Sequence, residues 1–203
     1  LTTNTDAGES FTGGAGADTF SSSSSTFNSD DVLDGGAGSD TWSFANYGSG
    51  VTVTLVAGGA AVTDGGNTDT GSNFENIIGS ANADAITGDA NDNFIDGLGG
   101  GDTLIGGAGT DTLSFANQTG PISGTLGGAV TGVASNSGFE NMLGSPGNDN
   151  LTGDANDNVI DGGLGDDTLS GGSGGNDTVS YASRNEDFTI NLTTGLASAP
   201  SIG

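Results

Sequence analysis

Residues 79–114 divide without a gap into four nonapeptides, GSANADAIT, GDANDNFID, GLGGGDTLI and GGAGTDTLS. Each opens with Gly, carries an acid or amide at its sixth position (Asp84, Asn93, Asp102, Asp111) and a large aliphatic at its eighth (Ile86, Ile95, Leu104, Leu113). A period of nine fits neither a helix nor a single strand. The glycines allow backbone with φ > 0, so the first six residues can turn sharply. A polar–aliphatic–polar triplet such as Thr112-Leu113-Ser114 is long enough for a very short strand whose central side chain points one way and whose flanks point the other. Turn plus strand, repeated, predicts coils of two nonapeptides, stacked about 4.8 Å apart through parallel pairing. Eighth-position side chains then fall in a thin interior, and each sixth-position side chain lies in a turn above its counterpart two repeats away.

The same register runs outward. Near the N-terminus it places Glu9 and Phe11 in 4–12, Asp18 and Phe20 in 13–21, Asp31 and Leu33 in 26–34, and Asp40 and Trp42 in 35–43. Ser22–Ser25 read as an insertion that loops out of the coil. A third block from Gly144 supplies Asp149 and Leu151, Asn158 and Ile160, Asp167 and Leu169, and, in a ten-residue unit, Asp177 and Val179. All twelve eighth positions are large and apolar in a chain that is only 32% hydrophobic, so chance does not explain the register.

Between the blocks, 44–78 and 115–143 break the period but resemble each other. Both open SFAN, and they run into FENIIGS and FENMLGS, whose Phe74 and Phe139 are 65 residues apart. Val51–Leu55 predicts a strand and Asp64-Gly65-Gly66-Asn67 a turn. The tail opens SYAS and continues FTINL but reaches no third FEN, which points to a piece of a longer repetitive protein. The predicted organisation is one continuous all-β solenoid: blocks at 4–43, 79–114 and 144–180, connectors at 44–78 and 115–143, and a truncated connector at 181–203. Trp42, Phe44, Phe115 and Tyr181 recur at equivalent places, which favours core packing over sugar stacking.

Charge restricts the partners. The chain of 203 residues holds 26 Asp and Glu against a single basic residue, Arg184, with no His and no Cys, for a formal net charge of −25. Nucleic acid and anionic membrane are excluded as electrostatic partners, because binding them needs clustered cations. Low hydrophobicity with high charge ordinarily gives disorder. Forty-one glycines add to it, each costing roughly 0.5–1 kcal/mol relative to Ala in regular structure. Without a ligand the chain is expected to be barely folded. No apolar run approaches the roughly 20 residues of a membrane span, and no charged-then-apolar leader follows Leu1.

Stacked carboxylates repel unless a cation lies between them. The units resemble the G-G-x-G-x-D-x-U-x nonapeptides, U aliphatic, of the RTX (hemolysin-type) calcium-binding proteins. That resemblance implies a parallel β-roll with Ca²⁺ held between turns by sixth-position carboxylates and backbone carbonyls. Carried onto this chain, it implies about six sites, at Glu9 with Asp31, Asp18 with Asp40, Asp84 with Asp102, Asn93 with Asp111, Asp149 with Asp167, and Asn158 with Asp177. The amides of Asn93 and Asn158, and the extra residue before Asp177, are expected to weaken their sites. Turn propensity alone would account for Asp and Gly, but not for an acid fixed two places before an aliphatic.

Catalytic signatures fail on inspection. Gly171-Gly172-Ser173-Gly174-Gly175 fits G-x-S-x-G, yet a chain without histidine cannot complete a Ser-His-acid triad or an H-E-x-x-H zinc site. Asp89-Ala90-Asn91-Asp92-Asn93 starts like an EF-hand loop, but Phe94 and Gly100 stand where Gly and the bidentate Glu belong. Acid pairs such as Asp166-Asp167 read as turn chemistry. The expected function is therefore a non-enzymatic, calcium-binding structural module of a secreted or cell-surface protein, of S-layer, adhesin or filament type, with self-association or a surface partner. The alternatives are the secretion and folding portion of a type I-secreted RTX exoenzyme or toxin, and an ice-binding solenoid. The seventh positions argue against the last, since Ala85, Phe94, Asn150 and Val159 interrupt the threonines.

Overall fold

The computed structural model describes residues 8, 10–23, 30–56, 59–64, 67–183, 189–191 and 196–198. Among them the chain is all-β, a flattened coil with two strand-bearing faces. In the nonapeptide blocks each coil places one short strand on each face: β1 (Ser10–Thr12) and β2 (Thr19–Ser23), β3 (Val32–Asp34) and β4 (Thr41–Asn46), β9 (Ala85–Thr87) and β10 (Phe94–Asp96), β11 (Asp102–Ile105) and β12 (Thr112–Ser114), β16 (Asn150–Thr152) and β17 (Val159–Asp161), β18 (Thr168–Ser170) and β19 (Thr178–Ser180). Three-residue strands follow from the triplet at positions seven to nine, because the glycine-rich stretch on either side cannot hold extended backbone.

The connectors continue the stack, and they do so unequally on the two faces. The first contributes β5 (Thr52–Val56), β6 (Gly59–Asp64) and β7 (Asn67–Ser72) to one face and β8 (Asn76–Ile78) to the other. The second contributes β13 (Ser123–Thr125) and β14 (Val133–Ser137), then β15 (Asn141–Leu143). One face is a parallel sheet in the order β19-β17-β15-β12-β10-β8-β4-β2. The other is divided into a sheet running β1-β3-β7-β6-β5-β9-β11-β14, with β6 antiparallel to both neighbours, and a separate parallel sheet β13-β16-β18. A smaller copy of that hairpin recurs in the second connector, where Val130 bridges antiparallel to both Gly124 and Val133. The stack is thus not parallel throughout, because a connector that lays three successive strands on one face must run its middle strand in the opposite direction. Beyond the last coil, β20 (Thr189–Asn191) and β21 (Leu196–Ser198) pair antiparallel.

Strand register places the eighth positions in single file. Ile95 pairs with Leu113 and Ile77, Trp42 with Phe20 and Ile77, and Leu104 with Ile86. Leu33, Trp42, Ile95, Leu113, Leu151 and Ile160 are fully buried, each side chain contributing on the order of 1.5–3 kcal/mol. Phe11 and Leu169 are only partly covered and Val179 is 39% exposed, because they belong to the outermost described coils. Three described rungs have neither an aliphatic nor an aromatic at this place, one of them Gly124 opposite Leu151. Gly71 stands opposite Leu33, and a Cβ there would collide with the indole of Trp42. Asn136 stands opposite Leu104, buried with its amide donating to Gly128 O and accepting from Gly127 N–H.

Phe44 and Phe115 are buried as expected, while Tyr181 is half-exposed. Trp42 stacks on Phe44 at 5.4 Å and meets Phe74 at 5.2 Å. Part of the serine insertion departs from expectation: Ser22 and Ser23 extend β2 rather than looping out, while Ser24 and Ser25 lie outside the described residues. Ser22 is buried because the indole N–H of Trp42 donates to its hydroxyl at 2.9 Å.

Candidate metal centre

The turns are built in two ways. In the GGxGxD turns at 35–40, 106–111 and 162–167, the second and fourth glycines take φ values such as +117° at Gly107 and +131° at Gly109, where a side chain is strained; Gly14 and Gly16 of the 13–18 turn do not. In the 97–102 turn Leu98 fills the second slot at φ 59°, with its N–H donated to Asp96 Oδ1. In the other kind the second slot is Ser or Asp. Ser80 and Ser145 donate their N–H to Asp84 and Asp149 Oδ2, and Asp89 and Asp154 donate theirs to the Asn93 and Asn158 side chains. Their own side chains accept the N–H two residues on, as in Asx and Ser turns.

The first glycine is required for space. At Gly79, Gly97, Gly106, Gly144 and Gly162 an added Cβ would strike the sixth-position carboxylate of the same turn, which folds back over the glycine. It would also strike a backbone carbonyl of the next coil, Gly138 O for Gly106 and Gly162 O for Gly144.

Sixth positions meet in the pairs the register predicts. The N–H of Asp18 donates to Asp40 Oδ1 at 2.8 Å, that of Asp84 to Asp102 Oδ1 at 3.0 Å and that of Asn93 to Asp111 Oδ1 at 2.8 Å. Asp149 and Asp167 (3.0 Å) and Asn158 and Asp177 (3.1 Å) repeat the contact. The extra residue before Asp177 therefore leaves the contact in place. Glu9 lies outside the described residues, so its pairing with Asp31 has no structural description. Asp31 is buried, and its N–H donates to Asp69 Oδ1 at 2.9 Å.

Three acids continue these ladders that the repeat register passed over. Asp69 does so on one edge. Glu75 and Glu140 do so on the other, accepting the N–H of Asp40 and Asp111 at 2.9 and 2.8 Å through Oε2. The Glu signal was present, since each precedes an aliphatic by two places, Ile77 and Met142. Asp69 carries no such mark because Gly71 fills its eighth slot.

Burial makes the ladder electrostatically costly. Asp40, Asp102 and Asp111 are completely buried, and each has Oδ2 with no hydrogen-bond partner. Desolvation, reinforced by the charges of Asp84 and Asp96, pushes Asp102 up to about 7. Desolvation, with Glu140, Asp92 and Asp89 nearby, pushes Asp111 up to about 6. Burial raises Asp84 as well, against hydrogen bonds from Val51 and Ser80. A buried acceptor without a donor costs about 1–3 kcal/mol, a deficit that a bound cation would offset.

A family model for the RTX calcium-binding nonapeptide repeat matches residues 26–41, 69–114 and 143–179, in four copies. In these three stretches the chain carries RTX calcium-binding nonapeptide repeats. No curated protein matches the chain.

The RTX turns fit calcium by their donor chemistry. Ca²⁺ takes about 6–8 oxygens from carboxylates and backbone carbonyls with tolerant geometry. Here a carboxylate oxygen lacking a partner and a carbonyl of the next coil crowd the same first glycine. Among the described residues no three of His, Cys, Asp and Glu converge, so a site in this RTX stack would combine the members of one pair with carbonyls. Calcium, when bound, would supply the positive charge that the stacked acids lack; the cationic side chain of the sequence, Arg184, lies outside the described residues.

Two ninth-position acids of the RTX blocks serve the fold. Asp96, fully buried, accepts from Leu98 N–H and from both the N–H and the side-chain amide of Asn117. Asp161 is held low: burial opposes ionisation there, but hydrogen bonds from Ser183, Gly163 and Ser180 outweigh it. Each pins the start of the next irregular segment onto the last coil.

Proposed function

We propose that this RTX chain is a calcium-dependent structural module of a secreted or cell-surface protein, of the S-layer, adhesin or extracellular-filament kind, without enzymatic activity of its own. Calcium sits at the five described sixth-position pairs and at Glu9 with Asp31. The observation that carries this reading is the set of buried Oδ2 atoms without partners at Asp40, Asp102 and Asp111, stacked in a chain of net charge −25. Extracellular calcium modules bind at about 10⁻⁴–10⁻³ M. Free calcium ten times the dissociation constant adds roughly 1.4 kcal/mol per site, a term that vanishes at cytosolic calcium. The chain is accordingly unfolded before export and folds outside the cell.

Circular dichroism of the chain in millimolar calcium, with and without excess EGTA, tests this. Strand signal that collapses with the chelator and returns with calcium supports it. A spectrum unmoved by EGTA refutes it.

A further inference from the structure

Glu75 and Glu140 sit in three-residue turns that carry the chain from one face to the other, from β7 to β8 and from β14 to β15. Neither turn is a nonapeptide turn. Each nevertheless reproduces the contact of the paired repeats, since the N–H of Asp40 or Asp111 donates to the Glu carboxylate as that of Asp84 donates to Asp102. The extra methylene of Glu makes up for the missing turn residues.

A second observation points to a ligand at the same places. Asp40 and Asp111 are completely buried and their Oδ2 atoms have no partner. Over Gly106, Asp111 Oδ2 and the carbonyl oxygen of Gly138 crowd one point; over Gly35, Asp40 Oδ2 and the carbonyl oxygen of Asn73 do the same. Those carbonyls come from the short turns themselves. On its other side each Glu turn meets a donor instead, because the Asn93 and Asn158 side-chain amides give hydrogen bonds to the Glu75 and Glu140 carbonyls at 3.3 and 3.1 Å. A cation is thus favoured on one side of each Glu and disfavoured on the other.

We propose that Asp40 with Glu75, and Asp111 with Glu140, each hold a further calcium ion, so that the connectors carry metal sites of their own. The inference rests on the reading that the sixth-position pairs hold calcium, and it adds two ions to that count.

Two measurements on the full chain test it. Trp42, the single tryptophan, lies two residues from Asp40, within about 7 Å along a strand, so Tb³⁺ bound there is sensitised by indole excitation. Asp18→Asn should leave part of this emission, Glu75→Gln should lower it, and the two together should abolish it. Native mass spectrometry in calcium should show one ion fewer for Glu140→Gln than for wild type. Emission unchanged by Glu75→Gln, together with an unchanged ion count in Glu140→Gln, overturns the inference while leaving the nonapeptide sites intact. A wild-type chain that binds no calcium overturns instead the reading on which it rests, as does an Asp84→Asn/Asp102→Asn chain with the full complement of ions.

Discussion

The N–H of Asn93 donates to Asp111 Oδ1 at 2.8 Å, across 18 residues of sequence and one rung of the stack. Through this contact a side chain in one turn supports the backbone of the turn below it, and the other carboxylate oxygen is left buried and without a partner. One carboxylate oxygen is thus committed to the backbone, and the other is the one proposed to meet a cation.

Acidity should move the calcium-free and calcium-bound chains in opposite directions. Asp102 rises from 3.8 to about 7 in the folded stack, so folding takes up a proton between those values. Its contribution to the calcium-free stack is fully present below 3.8 and is lost as the pH rises through about 7. Calcium binding needs the ionised form, so protons compete with the ion. Calcium titrations followed by circular dichroism should show a midpoint on the order of tenfold higher at pH 5.5 than at pH 8. A midpoint independent of pH would contradict the burial of Asp102.

Glycines in the turns should divide sharply by position. Gly106→Ala drives a Cβ into Gly138 O and the Asp111 side chain, and overpacking of this kind costs about 1–3 kcal/mol. Gly99→Ala meets nothing within 4 Å and should stay within about 0.5 kcal/mol of the parent. Thermal melting in saturating calcium compares them, and equal melting temperatures would remove the spatial argument for the first glycine.

Truncations in the core should track position along the stack. Leu113, fully buried, should lose about 2–5 kcal/mol on change to Ala. Val179, 39% exposed, should lose much less. Chemical denaturation at fixed calcium resolves the difference, and comparable losses would show that the last coil is covered.

Asp96→Ala should loosen the second connector. It leaves the Leu98 and Asn117 N–H groups without their acceptor, a cost of about 1–3 kcal/mol. Hydrogen exchange should show faster exchange at Asn117 than in the parent, with Ile95 in the same strand as the slow reference. Exchange at Asn117 that does not change would remove the staple.

Much of this arrangement was legible in order of residues alone. The spacing of Asp84, Asp102, Ile86 and Leu104 dictates coil length, rung pairing and which side chains turn inward, since a period of nine with small turn residues admits few other closures. The same spacing leads from Glu75 to Ile77, but the three-residue turn before it hides the register from a search for nonapeptides. Ser22 was misread because a serine run carries no inward mark, and only the Trp42 indole, 20 residues away, draws it into the core.

Local pattern by itself determined the repeating coil, the single-file interior and the acids that stack, because each depends on residues within about 18 positions of one another. Tertiary structure decided how the irregular connectors join that stack. The reversal at β6, the space Gly71 yields to Trp42, and the places of Asp69, Glu75 and Glu140 on the ladders all depend on contacts with residues that sequence spacing does not relate. Periodicity transmits information only while it lasts; where it lapses, packing against the coil already formed selects the conformation.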